Sequence, residues 1–393
     1  MSKGVGFLKR NKVLSAACAA ALCMGAVPVQ AAAASPEFAY TEEKWASLED
    51  NVLEYEEIAD LIHEYNATVQ QNLLDYNDYK GKSSLDISKE YYNSAEDMLE
   101  RIEYPEDDDV SYASRLSSAL SSEIQAENLV EQGDNNVDDG EIVKLGYDME
   151  EAELVKQAEQ LMISYWSQTE SLAVLEDAVT QAENSYEAAV TKKAAGMAAQ
   201  AEVDSMAEAV TTAKASLLTA KGSLEKTKEQ LCLMLGWPYG AEVDIKEVPQ
   251  PDLEKIGAID VEADIETALE NNYSLKMTAK RIENARSASV RETQERTYKN
   301  QKETASTSVK NAYNSLLSEK SGYEQALESY ELAKTELSAS AARLQAGTIT
   351  AKDYASKEFA LLSAEVSLKT QELSLLTALN EYEWAVNGLA SVS

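Results

Sequence analysis

Residues 196–238 read GMAAQAEVDSMAEAVTTAKASLLTAKGSLEKTKEQLCLMLGWP, and apolar side chains recur in this stretch at every seventh position. One row consists of Val203, Val210, Leu217, Leu224 and Leu231. A second row, Met206, Ala213, Ala220, Thr227 and Met234, is small or polar rather than leucine-rich. A seven-residue repeat sustained over five heptads predicts a long helix that packs along its length as a coiled coil.

The same pattern returns 151 residues later, where Ala346-Gly347 takes the place of Ala195-Gly196. The equivalent row consists of Tyr354, Leu361, Leu368, Leu375 and Tyr382. Phe359, Val366 and Leu373 form a further row on another side of the same helix. A helix with apolar rows on more than one side needs more than one neighbour. The sequence therefore predicts a tandem duplication of helices that pack against each other.

Each repeat is expected to fold as an antiparallel helical hairpin. Gly196 and Gly347 supply the turns, because glycine readily adopts the left-handed conformation that ends a helix. Thr350 is placed to cap the returning helix of the second half, and Asp353 is an acid in its first turn. Such hairpins are too long and thin for one globular core, so we expect them to be buried by neighbouring hairpins or chains.

Prolines divide the chain, since proline interrupts helices. The stretches 106–237 and 252–393 contain none, and the clusters GWPYG at 236–240 and PQP at 249–251 separate them. We predict a signal peptide at 1–31, a first hairpin repeat at 41–236, a linker at 237–260 and a second repeat at 261–390. Helical periodicity from about Ser274 to Gln345 favours one long helix there.

The first half carries an acidic insertion at about 80–150. The two halves align at an offset of 213 near their starts and 151 later, which leaves 62 extra residues. The run Asp134–Gly140 briefly resembles an EF-hand calcium loop. That loop needs glycine at its sixth position and glutamate at its twelfth, where this chain has Asp139 and Leu145. We therefore predict an acidic surface loop and no metal site.

The N-terminal residues have the features of a targeting segment. Residues 1–12 carry four basic side chains and no acid, residues 13–27 are uncharged, and Val29-Gln30-Ala31 is a small-x-small cleavage pattern. This is typical of a secretory signal peptide, and the apolar run is short for the alternative, an uncleaved membrane anchor. Cleavage leaves Cys232 as the last cysteine, which is expected to be a small buried hydrophobe.

Composition excludes several classes of protein. The net charge of −34 disfavours nucleic-acid binding, because phosphates would be repelled. The single histidine, His63, leaves little for a zinc site or a histidine-based triad. The many carboxylates lie on helix faces beside Lys or Arg, where solvated ion pairs are expected. We therefore predict no enzyme, no catalytic residue and no cofactor.

Three segments carry a resemblance to a known family. Residues 268–275, ALENNYSL, resemble the A-L-E-N-N-P-x-L segment of the TolC-like outer-membrane efflux proteins, with tyrosine in place of proline. Gly196 through Glu202-Val203 to Gly236-Trp237-Pro238 resembles their G…EV…L-G-x-P segment. Residues 343–348, RLQAGT, resemble their R-x-x-x-G-T hairpin tip. The tandem duplication is itself typical of that family.

The resemblance implies an all-α fold of tandem antiparallel coiled-coil hairpins, the protomer of a TolC-like α-barrel. It implies a homotrimer that works as an efflux or secretion conduit, docking by its hairpin tips to an adaptor protein coupled to an export pump. The tip residues it implies are Gly196, Met197, Arg343, Leu344, Gly347 and Thr348. These positions also suit any helical hairpin turn. Asp204 and Asp353 could form carboxylate rings near the tips, or be solvated face residues.

The chain departs from the family pattern in one respect. Family members insert strands of alternating polarity in each half, but residues 287–308 show no alternation, and only the short stretch 141–147 could be a strand. We therefore predict no clear transmembrane β-barrel, which fits a cell envelope lacking an outer membrane. An exported structural coiled-coil scaffold or adhesin of the envelope, with no transport role, is the alternative function.

Overall fold

The computed structural model describes residues 40–106 and 111–393. The predicted signal peptide at 1–31 and the acidic residues 107–109 lie outside the described residues. The chain divides into two compact units, one ending at Ser47 and the other comprising Leu48–Ser393. The described part of the first unit contains all but the last residue of helix α1 (Glu42–Leu48). There the ring of Tyr40 meets that of Trp45 edge to face, with centroids 5.1 Å apart.

Four long helices form the body of the second unit. α6 (Gly140–Ala194) packs along α7 (Gln200–Met234), and α11 (Ala288–Gln345) packs along α12 (Ala351–Trp384). α6 also packs along α12, so the four lie in the order α7, α6, α12, α11. The 55 residues of α6 and 58 of α11 give lengths of about 80–90 Å. The predicted pair of long antiparallel helical hairpins is confirmed.

The apolar rows read from the sequence lie between these helices. Val203 and Leu231 of α7, and Leu375 and Tyr382 of α12, are buried. The other members of both rows are half-buried. Val366, from the additional row of α12, is also buried, and α12 contacts both α11 and α6. The expectation that this helix needs two neighbours is therefore met.

Shorter elements surround one end of the long helices. They are β1 (Val52–Leu53), a 3-10 turn (Tyr55–Glu57), α2 (Ile58–Tyr65), α3 (Ala67–Tyr79), β2 (Asp244–Ile245), α8 (Leu253–Gly257), α9 (Val261–Asn271), α10 (Tyr273–Asn284) and a final π turn (Ala385–Leu389). β1 and β2 pair in parallel, with Val52 opposite Asp244, and so connect the linker to the start of the unit. Ile256, Leu275, Leu316 and Leu375 belong to a core cluster in the second half.

The insertion in the first half is a second, shorter helical hairpin. α4 (Ser84–Glu100) packs against α5 (Tyr112–Asn135). The residues of α5 that face α4 are small, namely Ala119, Ala126 and Gly133, and all are buried. A Cβ at Gly133 would lie only 2.5 Å from the ring of Tyr92. Small side chains thus let the two helices approach closely.

Two local expectations are wrong. The predicted helix at 274–345 is interrupted, because Ala285 is extended between α10 and α11 and Ser287 caps α11. Residues 141–147, the one stretch read as a candidate strand, belong to the first turns of α6. In each case a side chain caps the helix that follows, Ser287 for α11 and Asp139 for α6, and periodicity alone did not indicate these helix starts.

The acidic run at 134–140 is also not simply a surface loop. Asp139 is buried and accepts a hydrogen bond from the backbone N–H of Ile142 at 3.0 Å, capping α6. Asn284 of α10 donates to Asp139 at 2.7 Å, and Arg281 pairs with Asp138 at 2.7 Å. Two of the three acids in the run therefore join the insertion to the second repeat.

No helix in residues 40–106 or 111–393 combines the length and the apolar character required to cross a membrane.

Candidate functional site

Both long hairpins turn with the same backbone motif. At the first tip, Gly196 N–H donates to the carbonyl of Lys193 and Met197 N–H to that of Lys192, at 2.9 and 2.8 Å. At the second, Gly347 N–H donates to Leu344 and Thr348 N–H to Arg343, at 3.0 and 2.9 Å. These paired bonds form a Schellman motif, whose glycine has positive φ, here +72° and +67°. The two tips are therefore duplicated in detail.

The tips display the side chains that the sequence singled out. Met197 is 74% exposed, which is unusual for a large apolar side chain. Arg343, Gly347 and Thr348 are exposed, and Leu344 is half-buried. Thr348 uses both its N–H and its hydroxyl to contact the backbone carbonyl of Arg343, each at 2.9 Å. The guanidinium of Arg343 forms no ion pair with any described residue, so the tip presents it to solvent.

The two acids near the tips have different local partners. Asp353 forms a capping box with Thr350, whose N–H and hydroxyl donate to the carboxylate at 3.0 and 2.8 Å. The backbone bond from Thr350, with the hydroxyl bond second, lowers the pKa of Asp353 below its usual value. Asp204 accepts a hydrogen bond from Gln200 at 2.6 Å. The predicted cap of α12 is therefore confirmed, and both carboxylates are exposed.

Contacts between α6 and α12 place both tips at the same end of the unit. Near one end of the interface, Lys156 pairs with Glu381 at 2.8 Å. Further along, Glu170 pairs with Lys369 at 3.1 Å. Ascending numbers on α6 thus meet descending numbers on α12, so the end of α6 lies beside the start of α12. Heptad patterns could not predict this, because the two helices are far apart in the chain.

The outer helices leave apolar side chains uncovered. On α7, Leu218 is 74% exposed and Leu233 is also exposed. On α11, Leu332 is 61% exposed, and Leu317 and Leu327 are exposed to lesser degrees. α7 and α11 are separated by α6 and α12, so these leucines do not cover each other. Uncovered leucines on both outer helices of the layer are consistent with surfaces that another chain can cover.

Away from the tips, a half-buried polar cluster joins the halves. Glu159 of α6 accepts hydrogen bonds from the indole N–H of Trp384 at 2.7 Å and from Asn380 at 3.5 Å. Asn380 also donates to the hydroxyl of Tyr55. Burial raises the pKa of Glu159 to about 6, opposed by the Trp384 hydrogen bond. No sequence pattern indicates this cluster, since a glutamate on a long acidic helix is ordinarily solvated.

Replacing Glu159 with glutamine is expected to stabilise the protein in a pH-dependent way. An acid whose pKa is raised by folding destabilises the folded protein when it is ionised. This destabilisation by Glu159 is therefore full above pH 6 and disappears as the pH falls towards the pKa that Glu159 has in the unfolded chain. We expect Glu159→Gln to raise the free energy of unfolding by about 1–2 kcal/mol at pH 8 and by almost nothing at pH 4.5. Urea denaturation across this range measures it.

Glu358→Gln is the matched control for that experiment. Glu358 lies exposed on α12, so its replacement removes one negative charge without relieving burial. We expect a gain at pH 8 that is well below that of Glu159→Gln, since no burial of a charge is relieved. An equal gain for both variants would mean that net charge, not burial of Glu159, sets the effect.

His63 lies in another half-buried pair, in which its ring is 2.8 Å from Glu151 of α6. The hydrogen bond to Glu151 raises the pKa of His63, against a lowering by burial.

Within residues 40–106 and 111–393, no group of three His, Cys, Asp or Glu side chains is placed to hold a metal ion. Cys232 is buried, as expected.

Comparisons with known proteins show likeness in fold. The outer-membrane channel OprN matches with a TM-score of 0.53 and 11% identity, over 89% of this chain and 93% of that one. CusC, described in a study of transmembrane channel formation, has a TM-score of 0.53 and 11% identity, over 89% and 96%. The outer membrane protein VceC of Vibrio cholerae has a TM-score of 0.51 and 9% identity, over 85% and 96%.

No family model and no curated protein matches the chain. The structural likenesses confirm the TolC-like helical fold that the sequence indicated. Their identities are low, so they establish the fold and leave the activity to be argued from this chain.

Proposed function

We propose that the protein is an exported, TolC-like component of an efflux or secretion system. In this proposal three copies close into a helical conduit that works with an adaptor protein and an export pump. One observation carries it: the four long helices form an open layer with uncovered apolar edges and with both tips at one end. The channel fold of the structural neighbours supports a transport role over an enzymatic one.

The two edges of the layer are different, so we expect copies to associate head to tail. The α7 edge of one copy would cover the α11 edge of the next, which is a head-to-tail contact that closes when the rotation between copies is suitable. The exposed leucines of both edges would then be buried. A layer of four helices has no inner wall of its own, so a lumen requires several copies.

The tips are the proposed contact with the adaptor. Met197 and Leu344 offer apolar surface, Arg343 offers an uncommitted cation, and Gly347 with Thr348 offers exposed backbone. In the ring, the exposed carboxylates of Asp204 and Asp353 from each copy would lie near the same end, where rings of acids favour cations. The predicted signal peptide supports a location in the cell envelope or outside the cell, away from nucleic acids.

A cysteine pair tests the ring directly. Leu218 lies between Lys214 and Lys221, which pair with α6 at Glu183 and Glu176. On the other side of the layer, Lys357 of α12 pairs with Glu336 of α11, four residues from Leu332. Together with the α6–α12 pairs, this register places Leu218 and Leu332 at nearly the same level on opposite edges. They can meet only between copies.

We expect Leu218→Cys with Leu332→Cys, in the chain from Ala32 onward, to give on mild oxidation a ladder that ends at three copies. Light scattering of the reduced chain should give the mass of a trimer. Each single variant is the control, since a head-to-tail ring does not bring like edges together. A monomeric mass and no ladder would refute the conduit and favour the scaffold or adhesin function. Cross-linked pairs from a single variant would refute head-to-tail closure.

A further inference from the structure

Helix α5 presents an apolar face outside the layer of long helices. Leu120 is 45% exposed and Ile124 is 58% exposed, and Leu116 lies one turn before them. The other side of α5 packs on α4 through Ala119 and Ala126. Within the described residues, no element covers the face that carries these three side chains.

The face has the form of a ridge beside a groove. Large side chains recur at every fourth position, at Tyr112, Leu116, Leu120 and Ile124. The neighbouring row is small, with Ala113, Ser117 and Ser121, all exposed. Rows at i±4 are the ridges and grooves by which globular helices most often pack, crossing at about −50°. The ridge of one copy therefore fits the groove of another, and the fit is reciprocal.

Charge distinguishes this face from the rest of the molecule. Residues 111–126 contain one base and one acid in a chain of net charge −34. Both have partners outside the face: Arg115 pairs with Glu103 at 3.6 Å, and Glu123 accepts from the hydroxyl of Tyr104 at 3.0 Å. Most surfaces of the protein would repel a second copy. This face has no charge to oppose one, and none to recruit a strongly charged partner.

We propose that the α5 face binds the α5 face of a second copy of this chain about a two-fold axis. A self-complementary ridge and groove is what such a contact requires, since the same patch serves both sides. The contact goes beyond the proposed conduit, because it pairs chains through the insertion rather than through the edges of the long-helix layer. If rings form, it would join one ring to another.

The contact is expected to be weak and reversible. One helix face on each side buries well under the roughly 1,200 Å² in total at which stable interfaces begin. We therefore expect chains to pair at concentrations on the order of tens of micromolar. The pairing should be stronger where several copies are already held together. This sets the concentration at which the experiment is done.

The test is oxidation of Ser117→Cys at about 50 µM, a concentration suited to a weak contact. Ser117 lies in the middle of the groove and next to the ridge, so in a two-fold contact its cysteine would lie near the axis and close to its symmetry mate. Ser94→Cys, an equally conservative change at an exposed position on α4, is the control. We expect Ser117→Cys to form cross-linked pairs at least about tenfold faster than Ser94→Cys. Adding Leu120→Glu should abolish the difference, with helicity by circular dichroism unchanged.

Equal rates for the two cysteines would overturn the proposal, as would a fast reaction of Ser117→Cys that Leu120→Glu leaves unchanged. Either result would mean that the face is covered by a different partner or by none. The edge pair Leu218 and Leu332 reports separately on the ring. Failure of α5 pairing and failure of the conduit are thus distinguishable.

Discussion

Replacing Gly236 with alanine is expected to lower the free energy of unfolding by about 3 kcal/mol. Gly236 ends α7 with φ of +91°, a conformation that costs an L-residue about 1–2 kcal/mol. An added Cβ would also lie 2.4 Å from the Cβ of Tyr65 and 3.1 Å from its carbonyl oxygen. Because these are the Cβ and the backbone oxygen of Tyr65, the last residue of α2, a change of side-chain rotamer cannot relieve the clash. Urea denaturation followed by circular dichroism measures the loss.

Gly347→Ala is the matched control for Gly236→Ala. Gly347 also has positive φ, +67°, but an added Cβ would meet no atom within 4 Å. Only the conformational cost remains, so we expect a loss of about 1 kcal/mol. Equal losses at the two positions would show that the close approach of Tyr65 to Gly236 adds nothing to the cost of the alanine side chain.

Replacing Asn272 with alanine is expected to cost about 2–4 kcal/mol. Asn272 is 1% exposed and joins two ends of the second repeat. Its carbonyl oxygen accepts from the N–H of Leu275 at 3.0 Å and caps α10. Its amide donates to the carbonyl of Ala390 at 2.8 Å. Alanine removes both bonds and leaves a buried carbonyl without its donor, which is the more costly part.

Two further variants separate those contributions. Asp260→Ala removes a cap from α9 at an exposed position, so we expect a loss of about 0.5–1 kcal/mol. Asn272→Asp keeps the cap but places a carboxylate oxygen against the carbonyl of Ala390, so we expect a loss at least as large as that of alanine. If Asn272→Ala costs no more than Asp260→Ala, the bond to Ala390 does not stabilise the fold.

Asn272 has a counterpart in the first repeat that the sequence comparison missed. Asn66 caps α3, accepting from Thr68 N–H at 2.9 Å, and donates to the carbonyl of Met234 at 2.8 Å. In both halves an asparagine thus connects an early helix to the end of the returning helix. The surrounding residues differ between the halves, so only the shared geometry shows that these positions correspond.

Features set by neighbouring residues could be predicted from the sequence. The seven-residue rows of α7 and α12 required helix partners, because apolar stripes on a long helix must be covered. Gly347 with Thr348, and Thr350 with Asp353, predicted a turn followed by a capped helix, since each of these bonds spans a few residues. The duplication followed from the same local patterns repeated at one offset.

The insertion shows where local patterns are insufficient. Its acidic run 134–140 has the composition of a surface loop, yet Asp139 is buried because Asn284, far along the chain, donates to it. The break between α10 and α11, at residues 285–287, likewise contains no proline or glycine that would predict it. The carbonyl of Gly133, in the insertion, accepts from Arg286 beside that break, at 2.6 Å.

Sequence patterns alone were enough to predict a pair of long helical hairpins with duplicated tips. Periodicity and capping act within a few turns of one helix, and each such signal is complete in the residues that carry it. The packing of α6 on α12, the position of both tips at one end, and the exposed leucines of α7 and α11 became apparent only from the folded chain. Those outcomes depend on contacts between helices about 200 residues apart, such as Glu170 with Lys369, for which local patterns carry no information.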